Sequence, residues 1–355
     1  MPQLTGAILT VIGIAGAFLI LIAPHEAGHF ALAKLFKVRV IEFSIGAGTK
    51  LFSFTRGGTL YALRLLPILG YVRMGGMEAD DLDEPNGFHA KNPLQRLGIL
   101  AAGPAANFLV AMLLATGYGL TQLNDDPGKV IRVIPGTPAA LTGVQVGDHI
   151  RFVNGKPETN PGYIQETEKA NPGQPIELSG FHANGKPFTY ILMPSCDAKA
   201  NCYIGINVAG VVTVQSAVTT GVKFPFVAIR DIAQGLGELV TGKVPGGLLG
   251  PEGLTGPIGI ATITAQSVNQ GPGDYVLLVA LLSVALGFTN LLPVPALDGG
   301  RIMVVIIEAL RRRPFDRRSE LNFQRWGLVA LLALAALISF LDIQRIATGQ
   351  FPGSH

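Results

Sequence analysis

Five residues near the start of the chain combine two histidines with a glutamate at a spacing that suits metal chemistry. His25, Glu26 and His29 belong to the sequence HEAGH. Residues four apart lie on one face of an α-helix, so both imidazoles can approach a single metal ion. Glu26 is then placed to act as a base towards a water bound to that ion. The spacing therefore predicts a metal-dependent hydrolytic site.

The motif directly follows a long uncharged stretch, residues 4–24. About 20 apolar residues are enough to cross the hydrocarbon core of a bilayer. The alternative is that the three polar residues merely cap a membrane span. Ionisable residues at membrane depth are costly unless they are used, which favours function over capping. Motif and position together indicate a zinc peptidase whose active site lies in the bilayer.

Two histidines do not complete a catalytic zinc site, which usually has three protein ligands and an exchangeable water. The candidate for the third ligand is Asp298, in the sequence NLLPVPALDGG at 290–300. Two prolines in that segment break the helix, and two glycines allow a tight turn. Asp-Gly after prolines is most often an ordinary turn. Here, however, Asp298 lies at the same predicted membrane face as the two histidines.

The composition is that of an integral membrane protein. Of 355 residues, 48% are hydrophobic and 14% are charged, and the mean hydropathy is +0.42. Soluble proteins have about 25% charged residues. Uncharged runs predict four spans, at 4–24, 97–124, 275–297 and within 320–343. We expect no cleavable signal peptide, because the first run lacks a preceding basic segment and carries the candidate ligands.

The charges between the apolar runs predict the orientation. Residues 31–96 hold nine Lys/Arg and residues 298–325 hold seven Arg, whereas residues 120–222 hold seven Lys/Arg against eight acidic residues. By the positive-inside rule, the first two segments are cytoplasmic, and the third and both termini are outside. Nucleic-acid binding by the arginine-rich segment is not expected beside a membrane span.

The combination of HEAGH with NLLPVPALDGG resembles the site-2 protease family of intramembrane zinc metalloproteases, in its bacterial form with one PDZ domain. Further segments fit the same family. They are Gly103–Asn107 (GPAAN), Phe43–Gly46 (FSIG), Gly70–Met74 (GYVRM) and Gly256–Gly259 (GPIG). The resemblance therefore runs along nearly the whole chain.

The resemblance implies roles for particular residues. One Zn²⁺ would be held by His25, His29 and Asp298, with Glu26 as the catalytic base. Other residues would contact substrate or brace the site, namely Asn107, Asn290, Gly70, Tyr71 and Val72. For the two asparagines, helix-packing hydrogen bonds are an equal alternative. The segment containing Gly70 would form a membrane-associated β-hairpin whose edge strand holds an extended substrate, the alternative being a plain surface hairpin.

The region between the second and third spans resembles a small PDZ domain. It has the segments IPGTPAA at 134–140, GVQVGDHI at 143–150 and VNG at 153–155. Short apolar runs punctuated by Gly, Pro and Asn-Gly are typical of strands and hairpin turns. We expect such a domain to bind a peptide by strand addition or to act as a size filter, with a plain spacer as the alternative.

Cys196 and Cys202 are the only cysteines in the chain. They flank a polar stretch between two apolar runs, a pattern that predicts a hairpin with the cysteines facing each other. An oxidising compartment would preserve a disulfide between them. A zinc pair and two free thiols are the alternatives.

The predicted fold class is an α-helical integral membrane protein with four transmembrane helices, a membrane-associated β-hairpin and an inserted β-rich (α+β) PDZ domain. The predicted boundaries are 1–31 for the first span with HExxH, 32–96 for the cytoplasmic loop with the hairpin, 97–124 for the second span, 126–212 for the PDZ domain, 213–274 for an amphipathic linker along the membrane surface, 275–297 for the third span, 298–319 for an Arg-rich loop and 320–343 for the fourth span.

The expected function is hydrolysis of peptide bonds in single-span membrane proteins, in a bacterial plasma (inner) membrane and in contact with its lipid. Anti-sigma factors or signal-peptide remnants are the substrates that the resemblance implies. A zinc transporter is disfavoured because it needs no glutamate beside the first histidine. A membrane-anchored PDZ scaffold is disfavoured because it needs none of the motif residues.

Overall fold

The computed structural model describes residues 2–78, 81, 84–158, 162–196, 202–244, 246–247, 250 and 253–351. The chain divides into two compact units. Unit 1 comprises Met1–Tyr118 and Gly221–His355, and unit 2 comprises Gly119–Thr220. The candidate metal-binding motifs of the sequence all belong to unit 1.

The helices and strands of the described residues follow one another along both units. In chain order they are α1 (Pro2–Leu35), β1 (Val40–Arg56), β2 (Thr59–Met74), α2 (Pro93–Thr121), β3 (Val130–Val133), α3 (Pro138–Thr142), β4 (His149–Val153), β5 (Lys156–Pro157), α4 (Gly162–Ala170), β6 (Ile176–Phe181), β7 (Pro187–Leu192), β8 (Ser195–Cys196), β9 (Cys202–Tyr203), β10 (Ile206–Val208), α5 (Val214–Val240), α6 (Pro257–Gln270), α7 (Pro272–Leu291), α8 (Asp298–Arg311) and α9 (Arg317–Ala347). A short 3₁₀ helix, Phe88–Ala90, precedes α2.

Four of the described helices are long and apolar enough to cross a membrane. They are Gly6–Leu35 of α1, Pro93–Thr121, Pro272–Leu291 and Arg317–Ala347. These helices fit the predicted class of helical membrane protein. Helix α1 continues through Pro24 to Leu35, beyond the predicted end at residue 31. The HEAGH motif therefore lies inside a continuous helix, which keeps its i and i+4 residues on one face.

The region after the third span differs from the sequence expectation. Helix α7 ends at Leu291, before residue 297, because the prolines at 293 and 295 cannot continue it. Residues 298–311, expected to belong to an Arg-rich loop, form helix α8. The prediction missed the apolar side chains at helical spacing in this segment. Among them, Val305 is buried and Ile302 packs against the same hydrophobic cluster.

The segment expected to be an amphipathic linker, residues 213–274, contains helices α5 and α6. Helix α6 contacts α1, α7 and α9, so it packs within the helical bundle of unit 1 and is not a surface linker. Its buried residues are Gly259, Thr264 and Ser267. Small residues of this kind allow helix backbones to approach closely, a signal that the hydropathy pattern did not reveal.

Strands β1 and β2 form a bent antiparallel pair. Residues 42–45 of β1 pair on one side with 70–73 of β2 and on the other side with 60–63. For example, Phe43 is opposite both Val72 and Tyr61. The segment 70–74 of β2 consequently pairs on only one side among the described residues and forms an edge of the sheet.

Unit 2 is a small β-rich unit with two short helices. Its four-stranded sheet has the order β5-β4-β6-β7, and β3 pairs with β10. Asn154 and Gly155, which connect β4 to β5, both have positive φ (50° and 73°), as the two-residue turns favoured in hairpins require. The core contains Val130, Ile150, Ile176, Leu178 and Leu192, among other apolar residues.

Candidate active site

The two histidines of HEAGH meet on the buried face of α1. His25 and His29 are 7% and 6% exposed, and their Nε2 atoms lie 3.2 Å apart. Helical periodicity accounts for this proximity, because residues i and i+4 stack on one face. The sequence prediction of two converging imidazoles agrees with this geometry.

Asp298 completes a triangle of donor atoms. Its Oδ2 lies 3.2 Å from the Nε2 of His25 and 3.3 Å from the Nε2 of His29. Tetrahedral zinc with ligands at about 2.0–2.1 Å places those ligands about 3.3 Å from one another. The three edges of the triangle therefore match one face of a zinc tetrahedron.

The environment of these donor atoms also fits a cation. Asp298 Oδ2 is buried and has no hydrogen-bond partner of acceptable geometry among the described residues. A buried carboxylate oxygen without a donor is costly unless a cation or proton satisfies it. Of the described residues, His25, His29 and Asp298 form the cluster that could hold a metal ion.

A backbone carbonyl fixes the tautomer of His29. Its Nδ1 lies 2.8 Å from the carbonyl oxygen of Ile99 on α2. Because a carbonyl only accepts, Nδ1 carries the proton and donates it, and Nε2 keeps its lone pair towards His25 and Asp298. This is the arrangement in which an imidazole binds a metal through Nε2 while a second-shell acceptor orients the ring.

Helices α1 and α2 approach each other closely beside the histidines. A Cβ at Gly103 of α2 would lie 2.9 Å from the Nε2 of His25 and closer still to that of His29. A Cβ at Gly28 of α1 would overlap the carbonyl group of Ala102. Both glycines are therefore required by packing, and Gly103 leaves the space into which the two Nε2 atoms point.

The start of α8 places Asp298. The backbone turns after α7, and the glycines that follow Asp298 pack against it without side chains. A Cβ at Gly299 would overlap the carbonyl groups of Leu291 and Leu292, and a Cβ at Gly300 that of Val294. The tight turn predicted from the sequence is thus required by backbone packing, and it brings a residue 269 positions beyond His29 to the same site.

Glu26 lies between the histidines in sequence and beside strand β2 in space. The backbone N–H of Val72 faces its carboxylate. A Cβ at Gly70 would lie 2.8 Å from Glu26 Cγ and 2.6 Å from a methyl carbon of Ile22. The edge segment of β2 therefore runs directly against the catalytic candidate, and Gly70 permits that contact.

The remaining candidate residues differ in their surroundings. Asn107, one helical turn after Gly103, is fully buried, and neither side-chain polar atom has a hydrogen-bond partner among the described residues. Asn290 instead donates to the carbonyl of Leu286 in its own helix, at 3.1 Å. The Tyr71 hydroxyl accepts a hydrogen bond from Arg64, at 2.8 Å. Asn107 thus keeps a buried amide without a partner among the described residues.

Cys196 and Cys202 form a disulfide in unit 2. They face each other across the paired strands β8 and β9. Residues 197–201, between them, lie outside the described residues. The bond is far in sequence from the ligands and has no part in the metal cluster.

Sequence reasoning did not assign Ile99 or Gly103 individual roles. Ile99 acts through its backbone carbonyl, which no residue type reveals. Gly103 was noticed only within the GPAAN segment, and its role depends on how closely two helices approach. The useful signal was the glycine followed by a proline in an otherwise regular membrane helix.

The chain matches the model of peptidase family M50 over residues 13–334. A zinc metalloprotease of Clostridium perfringens (strain 13) is 32% identical over 337 residues, covering 92% of this chain and 96% of the relative. Zinc metalloprotease RasP of Bacillus licheniformis is 28% identical, covering 95% of this chain and 99% of the relative. Regulator of sigma-W protease RasP of Bacillus subtilis is 26% identical with the same coverage. The chain therefore belongs to peptidase family M50, the site-2 proteases, and is a zinc metalloprotease with Zn²⁺ as its cofactor.

Proposed function

We propose that the protein hydrolyses peptide bonds within or near the transmembrane segment of single-span membrane proteins. The observation that carries this proposal is the triangle of His25, His29 and Asp298. Its donor atoms lie 3.2–3.3 Å apart on helices α1 and α8, and α1 is apolar and long enough to cross a membrane. A hydrolytic site built on such a helix is accessible to substrates that are themselves in the membrane.

His25, His29 and Asp298 are the proposed zinc ligands. The chemistry that zinc supplies when bound is activation of water and polarisation of the scissile carbonyl. Glu26 accepts the proton of the attacking water and returns it to the leaving amine. The N–H of Val72 faces the Glu26 carboxylate, and Gly70 packs against its side chain. Gly103 leaves room beside the ligands for the reacting groups.

The substrate must be extended at the bond that is cut, because the carbonyl groups of a helix are already hydrogen-bonded. The edge segment 70–74 of β2 can hold an extended chain by strand addition. Gly70, Tyr71 and Val72 belong to this edge, and Gly70 packs directly against the side chain of Glu26. A substrate strand added here would lie next to the catalytic residue. The unpaired amide of Asn107 is a candidate contact for that strand, whereas Asn290 braces its own helix.

We also propose that the enzyme lies in a bacterial plasma membrane with its Arg-rich segments in the cytoplasm. Unit 2 and both termini would then be outside, where the disulfide between Cys196 and Cys202 persists. Unit 2 is proposed to be a PDZ domain that selects substrates by peptide binding or by size. Anti-sigma factors and signal-peptide remnants are the proposed substrates. The name of the Bacillus subtilis relative, regulator of sigma-W protease, supports a regulatory role.

The proposal is tested by measuring zinc content and cleavage together on purified variants. Glu26→Gln should keep zinc and lose cleavage of a single-span substrate by at least about 10²–10⁴-fold, because the ligands remain and the base is gone. Asp298→Ala should lose both zinc and cleavage. Near-normal cleavage by Glu26→Gln would refute the mechanism, and normal zinc content in Asp298→Ala would refute the ligand set.

A further inference from the structure

The turn that precedes Asp298 has an unusual backbone for its sequence. The N–H of Leu297 donates to the carbonyl of Val294, with Pro295 and Ala296 as the two central residues. Ala296 has a φ of +73°. Turns with proline second and a positive φ in third place usually have glycine in third place, because a Cβ is strained there. An alanine in this position needs external support.

Gln324 of α9 supplies a contact to this strained residue. The N–H of Ala296 donates to the Oε1 of Gln324 at 2.6 Å. Gln324 is 7% exposed, although it lies on a helix whose neighbouring residues Phe323 and Trp326 are 45% and 74% exposed. Burying a polar amide is costly unless it is hydrogen-bonded. The bond to the turn satisfies the Oε1 of Gln324, whereas its Nε2 is buried without a partner among the described residues, so the turn is the polar contact that this side chain makes there.

The backbone of α9 packs against the same turn. A Cβ at Gly327 would lie 2.7 Å from the carbonyl carbon of Pro295 and 2.9 Å from its oxygen. Gly327 is three residues after Gln324, so both residues are on one face of α9. Gln324 and Gly327 therefore both contact the turn, Gln324 through a hydrogen bond and Gly327 through close backbone packing.

The left-handed backbone conformation of Ala296 determines the direction in which α8 begins. Asp298 is the first residue of α8 and lies two residues after Ala296. A change of φ at Ala296 would rotate everything that follows, including the carboxylate whose Oδ2 lies 3.2 and 3.3 Å from the two imidazoles. Metal ligands depend strongly on groups that fix their orientation.

We propose that Gln324 is a positioning residue for the third zinc ligand: it holds Ala296 in the left-handed turn that aims Asp298 at His25 and His29. The inference rests on the proposed role of Asp298 as a ligand. Gln324 does not touch the metal or the substrate. It acts through the backbone of the turn, whose N–H donates to α9, and this hydrogen bond thereby contributes to a metal site on α1 and α8.

The test measures how fast zinc is lost to a chelator from the purified full-length enzyme. Gln324→Met keeps the length of the side chain and removes the acceptor, and zinc loss should be about 10–100-fold faster. Gln324→Glu keeps an oxygen acceptor and should stay closer to the wild-type rate. Adding Ala296→Gly to Gln324→Met should slow zinc loss again by about tenfold. The reason is that glycine adopts the left-handed conformation without a Cβ penalty.

The rescue by glycine distinguishes positioning from general packing, since a packing defect at α9 would not respond to a change of backbone preference in the turn. If Gln324→Met does not fold, Gln324→Asn, which shortens the reach to Ala296, replaces it with the same expected rescue. Arg325→Met, at an exposed neighbouring position, is the matched control and should keep the wild-type rate.

Asp298→Ala, measured in parallel, separates this inference from the ligand assignment. If Asp298→Ala retains zinc, the ligand assignment fails and the inference fails with it. If Asp298→Ala loses zinc while Gln324→Met releases it at the wild-type rate, the positioning role alone is overturned. A folded Gln324→Met enzyme whose faster zinc loss is not reduced by Ala296→Gly would also overturn it.

Discussion

The guanidinium of Arg96 lies 2.7 Å from the carboxylate of Glu308, and both side chains are almost fully buried. Arg96 is at the start of α2, which also carries the carbonyl of Ile99 that orients His29. Glu308 is in α8, which begins with Asp298. The ion pair therefore joins the two helices that position one histidine and the carboxylate of the candidate zinc site.

Breaking this ion pair should destabilise the enzyme. Arg96→Met leaves Glu308 buried with Arg317 and the N–H of Phe315 as its remaining partners among the described residues. Removal of one member of a buried pair costs about 3–5 kcal/mol when the other charge is left uncompensated, and the remaining contact with Arg317 should keep the loss below that range. The double variant Arg96→Met/Glu308→Met should be less destabilised than the sum of the single variants. Thermal unfolding in detergent measures this coupling. Additive effects would contradict it, and exposed Arg318→Met serves as the control.

A methyl group at Gly103 should weaken zinc binding. Its Cβ would lie within 2.9 Å of His25 Nε2 and closer to His29 Nε2, so at least one imidazole must move. We expect zinc affinity to fall by about tenfold or more, by analogy with the loss of ligand-orienting contacts. Gly117→Ala on the same helix is the matched control, since its Cβ would meet no described atom within 4 Å. Equal zinc affinity in both variants would show that the close approach at Gly103 is unimportant.

Glu158 should make the stability of unit 2 depend on pH. Burial raises the pKa of this carboxyl to about 7, and neither oxygen has a hydrogen-bond partner among the described residues. Between about pH 4.5 and 7, the folded state keeps a proton that the unfolded state has lost. The free energy of unfolding should therefore decrease as the pH rises through this range.

Amide hydrogen exchange of unit 2 in the full-length enzyme, at pH 5 and pH 8 after correction for the intrinsic rate, measures this change. Glu158→Gln should remove most of the difference between the two values, because the amide does not titrate. Glu177→Gln, at an exposed position, should retain it. A pH dependence that is the same in Glu158→Gln and in the wild type would mean that another group is responsible.

Cysteine labelling should place unit 2 and the Arg-rich segment that follows α8 on opposite sides of the membrane. Arg312 and Asn154 both have positive φ, so other exposed positions in the same two regions, Arg313 and Lys186, suit a cysteine better. An impermeant thiol reagent added to intact cells should modify Lys186→Cys in unit 2 and not Arg313→Cys after α8. Permeabilised cells, in which both should react, control for accessibility. Labelling of Arg313→Cys alone in intact cells would reverse the proposed orientation.

The sequence alone determined the parts of the site that depend on local periodicity. The spacing in HEAGH places His25 and His29 on one helical face wherever that helix lies, because the helical repeat is a property of the backbone. The four apolar helices were likewise predictable, since crossing a bilayer requires about 20 apolar residues in sequence. The prolines at 293 and 295 indicated that the third span must end before Asp298.

Tertiary structure decided everything that depends on how separate helices approach one another. Which nitrogen of His29 faces the site depends on the Ile99 carbonyl, a backbone group without a sequence signal. Helix α8 was missed because its arginines suggested a loop, while its stability comes from packing an apolar face. The contact of Gln324 with Ala296 joins residues 28 positions apart through a turn whose strain only the backbone angles reveal. Such contacts come from packing across the fold, which local residue preferences do not specify.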